Sequence, residues 1–168
     1  TKKLNYWDRN APIPFAEEKK FSWDNSRDIV LGAFADFHPE MGRVADTFFE
    51  KGWIDALPRD GKNSGAFAHP TVTSHHPYVF LNFHGKPRDV MTLAHELGHG
   101  IHQVLAGPCG TLMADTPLTL AETASVFGEM LTFQSLLKLE QCPIRRRALL
   151  AGKVEDMLNT VGLSLIGY

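Results

Sequence analysis

Four residues able to carry chemistry fall within one short stretch, TLAHELGHGIHQ: His95, Glu96, His99 and His102. His95 and His99 are four positions apart, so on an α-helix their rings stand one above the other on one face. Two imidazoles so placed can meet a single cation, and zinc takes nitrogen ligands at about 2.0–2.1 Å. Glu96 is turned about 100° from His95. That is too far round for a comfortable third ligand, but well placed to take a proton from water at the same ion. This HExxH arrangement draws two ligands and a general base from one turn of helix. The competing reading is a pair of half-buried histidines bonded to carbonyls.

Catalytic zinc sites have three protein ligands and one open position, so another element must supply the third. LTLAETASVFGEM offers Glu122 and Glu129. Glu122 is assigned as the ligand, near the start of a long helix that a loop with Gly107 and Gly110 can fold back on the first. The small residues Ala121, Ala124 and Ser125 permit close approach. Glu129, seven residues on, returns to nearly the same face and is expected to accept a hydrogen bond from a ligand imidazole N–H. Its alternative is a solvated or ion-paired carboxylate. His102 is two turns from His95, too far for the same ion, and is expected in a hydrogen-bonded supporting role. His75, His76 and His84 flank the expected strands, and His76 and Tyr78 are candidates for lining a substrate cleft. One Zn2+ ion is the cofactor this set implies.

Several elements must position these groups. Residues 1–24 read as irregular. Apolar spacing from Asn25 predicts a helix that Pro39 breaks, and EMGRVADTFFEKGW resumes as a second. LPRDGKNSG (57–65) is turn chemistry. Two short strands follow, about 65–68 and 77–83, the second with Val79, Leu81 and Phe83 alternating against Phe80 and Asn82. Pro87 and Asp89 open the HExxH helix and Gly107-Pro108 closes it, with Leu93, Leu97, Ile101 and Val104 near one face, widened by Val90, Ala94 and Leu105. A Gly-rich loop (106–115) leads to a long helix reaching about Glu140, with Thr116 as N-cap and Pro117 at its first position. A last helix begins near Pro143. The layout is mainly α with a small β-sheet.

Composition bounds the rest. The 168 residues, 43% hydrophobic and 21% charged, suit one globular unit spanning 1–168. With 17 basic against 19 acidic residues and a net charge of −2, there is no polyelectrolyte signature and nucleic acid is not an expected partner. The arginines at 145–147 read as a solvated helix face. No run reaches the ~18 apolar residues of a membrane span. Cys109 and Cys142 form no metal or redox spacing, which reads as reduced thiols in a cytoplasmic protein. The missing initiator Met and the apolar last stretch, VGLSLIGY, suggest a piece of a longer chain.

The segments HPYVFLNF, DVMTLAHELGHGIH and LAETASVFGEML, with KNSGAF and FFEKGWID, resemble the thimet oligopeptidase family of zinc metallopeptidases, the bacterial oligoendopeptidase F branch in particular. The resemblance implies a zincin-like α+β fold, its HExxH helix packed on a second long helix carrying the third ligand. It implies zinc on His95, His99 and Glu122, Glu96 as the catalytic glutamate, and hydrolysis of internal bonds in short peptides. The strand around Tyr78–Phe83 would border the cleft for an extended peptide. Family members are several times longer, with a channel between two halves and a tyrosine- and histidine-bearing segment C-terminal to the zinc helices. None of the three tyrosines (Tyr6, Tyr78 and Tyr168) matches that segment. The isolated chain is therefore expected to be weakly active or inactive, the remainder of its parent completing the channel. Two alternatives stand beside this: a helical module in which zinc only staples two helices, and a helical protein without zinc. Glu96 speaks against the first, since a closed structural site has no use for an adjacent base.

Overall fold

The computed structural model describes residues 19–166. The expectation of irregular chain over 1–24 lies outside them up to residue 18, as do Tyr6 and Tyr168. Lys19–Leu139 form one compact unit, which carries every candidate site residue. Residues from Glu140 onward belong to a second unit. There the last helix, α6, runs Pro143–Ile166, and Arg145 in its first turn donates to both Glu140 carboxylate oxygens at 3.0 and 2.9 Å.

Helix α1 is Trp23–Phe37, started by the Ser22 hydroxyl accepting from the Asn25 N–H at 3.1 Å. Val30, Ala33 and Phe34 point into the core. His38 is extended and ends α1, and Pro39 opens α2 (Pro39–Glu50). The expected continuation of α2 to Trp53 does not form. Gly52 takes φ +66°, and the N–H groups of Gly52 and Trp53 turn back to the carbonyls of Phe49 and Phe48 at 3.3 and 2.9 Å. This double bond pattern closes a helix end through a left-handed residue.

A strand that the sequence did not reveal follows at once. β1 is Ile54–Asp55, β2 is Phe67–His69 and β3 is Tyr78–Phe80. The sheet order is β1-β3-β2, with β1 parallel and β2 antiparallel to β3. Two residues are too few to show a period, which is why β1 was missed. The expected strand at 65–68 begins later because Gly65 sits at φ +96°. The one at 77–83 is shorter as a strand, yet its bonding continues: Leu81 and Phe83 donate to the Asp55 and Ala56 carbonyls, both at 3.0 Å. Val79 and Leu81 are buried and share the face opposite to Tyr78 and Phe80.

Lys62, from the turn-rich loop, ties this sheet together. Its side chain is 1% exposed. The ammonium donates to the carbonyls of Asp55, Leu57 and Leu81 at 3.0, 3.1 and 2.7 Å and to the Asp55 carboxylate at 3.1 Å. Hydrogen bonds from Arg59 and then Lys62 hold the Asp55 carboxyl down to about 2. A carboxyl with a lowered folded pKa adds stability above its unfolded value near 4 and loses it as pH falls toward 2. Asp55→Asn is therefore expected to lower the urea midpoint at pH 6–7, with the gap to wild type closing between pH 4 and 2. Solvent reaches this carboxylate, so the gap at neutral pH is on the order of 1 kcal/mol or less. A gap independent of pH would show that the charge is not what matters.

Helix α3 spans Pro87–Ala106. The Asp89 carboxylate accepts the main-chain N–H groups of His84 and Lys86 at 2.8 and 2.9 Å, fastening the first turn. Val90, Leu93, Ala94, Leu97 and Ile101 are buried as expected, whereas Leu105 is exposed. The expected irregular loop contains a 3-10 turn (Gly107–Cys109) and one helical turn, α4 (Thr111–Ala114). Helix α5 is Leu118–Leu139. The Pro117 carbonyl accepts from Leu120 and Ala121, and the Thr116 hydroxyl turns back to the Ala114 carbonyl at 3.3 Å. Thr116 is thus not the N-cap, and the helix begins one turn-forming residue later than its sequence suggested. α5 packs along α3, with Ser125, Gly128, Thr132, Phe133 and Leu136 buried.

Candidate metal centre

The two long helices touch where each lacks a side chain. A Cβ added to Gly98 of α3 would lie 2.7 Å from both the Ala124 carbonyl oxygen and the Ser125 Cα of α5. One added to Gly128 of α5 would lie 3.1 Å from the Ala94 carbonyl oxygen of α3. Backbone therefore meets backbone, and Glu122, near the start of α5, is brought over the histidine face of α3.

There the side chains converge. His95 Nε2 is 3.4 Å from Glu122 Oε2, and His99 Nε2 is 3.7 Å from Glu122 Oε1. The rings of His95 and His99 stand edge to face, 5.0 Å between centroids. Among the described residues, one ligand atom from each of His95, His99 and Glu122 falls within 4.8 Å of the other two. Tetrahedral ligands at about 2.0–2.1 Å from zinc lie about 3.4 Å apart, so this donor set fits that ion with little movement. The opposite nitrogen of His95 is also held: Nδ1 donates to Glu129 Oε2 at 3.1 Å, which turns the Nε2 lone pair toward the group.

The electrostatics point the same way. Glu96, Glu122 and Glu129 put three carboxylates around two imidazoles, a concentration of negative charge that a cation would offset. Burial pushes the Glu96 carboxyl up to about 7, with the Glu122 charge adding to the rise and His95 opposing it. Burial alone would lower His95. The Glu129 hydrogen bond and the charges of Glu96, Glu129 and Glu122 outweigh it and raise the ring above its ordinary value. His99 is held below its ordinary value by burial and then by His95, although Glu122 and a hydrogen bond with the Ala121 backbone pull the other way. Glu96 is itself buried, only 6% exposed.

The remaining candidates lie elsewhere or at the margin. His102 is half-buried on α3, near enough for its charge to act on His99. His76 lies flat against Trp53 with 3.9 Å between centroids, and Tyr78 meets its edge at 4.5 Å. Among the described residues, the group of possible metal ligands is His95, His99 and Glu122, without His76. β3, which carries Tyr78, is the middle strand and is bonded on both sides. Its main chain therefore has no free edge to offer along a cleft, and the edges are β1 and β2. His75 and His84 are exposed. Beyond its small size, nothing local marks the hydroxyl of Ser125, and Gly98 and Gly128 are equally silent. The one signal is that Ser125 and Gly128 are small residues three apart on α5 and so neighbours on its surface.

The chain is 30% identical to the chromosomal oligoendopeptidase F of Lactococcus lactis subsp. cremoris, over 84% of its own length and 24% of that protein. It is 24% identical to oligopeptidase PepF of Bacillus subtilis (strain 168), over 94% of itself and 24% of the relative. It thus spans about a quarter of the curated relatives it matches. A crystal structure from Chlamydophila abortus, described as a "putative peptidase", superposes with a TM-score of 0.81 at 28% identity, covering 95% of this chain and 27% of that one. Residues 20–164 match the family profile throughout, and so the chain belongs to Peptidase family M3.

Proposed function

We propose that this chain forms the zinc centre of a peptidase that cuts internal bonds of short peptides. The observation that carries the proposal is the convergence of His95, His99 and Glu122 from two helices, with the buried Glu96 beside them. His95 and His99 would hold the ion through imidazole nitrogens and Glu122 through a carboxylate oxygen. When bound, zinc supplies Lewis acidity toward the scissile carbonyl and the attacking water. Glu96 takes the proton from that water as its oxygen bonds to the carbonyl carbon. As the C–N bond breaks, the same carboxyl delivers the proton to the departing nitrogen. Glu129 keeps the His95 ring turned correctly and takes no part in bond making.

The 168-residue chain alone is proposed to be weakly active or inactive, with the rest of its parent completing the peptide channel. A cytoplasmic setting belongs to the same proposal and is supported by two unbridged cysteines. Among the described residues, no helix is long and apolar enough to cross a membrane.

The test is made on the full-length protein. About one zinc per chain is expected by elemental analysis, lost on Glu122→Ala, and a chelator should stop cleavage of short peptides until zinc is restored. Protein that remains zinc-free after repletion would overturn the proposal. Zinc retained without cleavage of any short peptide would favour a module in which the metal only staples α3 to α5.

A further inference from the structure

Ser125 lies on α5, three residues after Glu122, and is fully buried. Its hydroxyl is 3.0 Å from Glu122 Oε2 and 3.0 Å from the Glu122 carbonyl oxygen. We propose that Ser125 is a positioning residue that fixes the Glu122 carboxylate for the cation; this rests on the metal centre proposed above.

Three observations support it. First, position 125 must be small, because its Cα faces Gly98 across the helix contact. Alanine would meet that need and is the better helix former, so packing alone does not account for the hydroxyl. Second, a serine hydroxyl has one proton and two acceptors within reach. The Glu122 carbonyl already takes an N–H four residues on in the helix, whereas an ionised carboxylate is the stronger acceptor. Third, the Glu122 side chain is 44% exposed, so without a fixed donor it would wander among rotamers at the solvent edge. The bond to Oε2 holds the carboxylate with Oε1 toward His99 and Oε2 toward His95.

Zinc affinity of the full-length protein, measured by competition with a chromophoric chelator, reads this directly. Ser125→Ala is expected to weaken zinc about 10–100-fold, with the melting temperature of the metal-free protein nearly unchanged. Ser125→Cys should lose at least as much, since it keeps the side-chain shape, slightly enlarged, but offers only a weak donor. In a Glu122→Ala background, whose weak residual affinity at high zinc rests on His95 and His99 alone, Ser125→Ala should have no further effect. An affinity within twofold of wild type for both single variants would overturn the proposal, leaving the hydroxyl to the backbone carbonyl alone. Equal losses with and without Glu122 would overturn it too, by showing action through packing. If Glu122→Ala itself leaves zinc affinity intact, the metal centre falls and this inference falls with it.

Discussion

Glu96→Gln in the full-length protein is expected to slow hydrolysis of a short peptide by about 10²–10⁴-fold, the usual worth of a positioned acid–base group. Zinc content should not change. Glutamine keeps the shape of the side chain but cannot accept and return a proton. Because Glu96 is buried and its charge is opposed by burial, the substitution also removes a desolvated ionisable group. The variant should therefore melt at the wild-type temperature or above it. Fluorogenic peptide assays with parallel elemental analysis separate the possibilities. An unchanged rate with zinc in place would remove Glu96 from the chemistry, and a loss of zinc would make it a ligand instead.

The second large effect is expected from Gly98→Ala. The new methyl would sit 2.7 Å from the Ala124 carbonyl oxygen and from Ser125 Cα, both of them backbone. No rotamer change relieves such a clash, so α5 must back away and carry Glu122 with it. Overpacking of this kind costs about 1–3 kcal/mol. Here it should also weaken zinc by at least about tenfold, as a carboxylate ligand leaves its place. Gly32→Ala in α1 is the matched control, because an added Cβ there meets nothing within 4 Å. It should be neutral or stabilise by about 0.4–1 kcal/mol. Urea unfolding and chelator competition on the two variants decide the matter. Equal behaviour of both would mean that the α3–α5 approach is not what sets the site.

The parts of this molecule legible in its sequence are those with a period or a chemical signature. α3 showed its apolar stripe, its Pro87 start and its Gly107 stop, and the four-residue spacing of His95 and His99 placed both rings on one face. Glu122 was reachable because Gly107 and Gly110 let the chain turn back on α3 and the small residues Ala121, Ala124 and Ser125 permit close approach. β1 was not, since Ile54–Asp55 is held by hydrogen bonds from β3 and by Lys62, partners distant in the sequence. Thr116 shows a similar limit: its side chain suits a cap, but Pro117 fixes the local path and the hydroxyl finds Ala114. Position alone points His76 and Tyr78 to a cleft, whereas the stacking of His76 on Trp53 and of Tyr78 against His76 depends on partners that no local pattern shows. Local chemistry could be read, and non-local partnership only where a ligand set called for it, as with Glu122 and Glu129.

The crossing of α3 and α5 has a bearing on how such a protein tolerates change. With a glycine from each helix resting on the opposite main chain, the span from imidazoles to carboxylate is gauged by peptide geometry, which mutation cannot resize. Leucines and valines farther along the crossing can be exchanged at some cost in stability while that gauge stays constant. Drift in the interior and fidelity at the reactive point are thereby uncoupled for as long as the small residues at the crossing are kept.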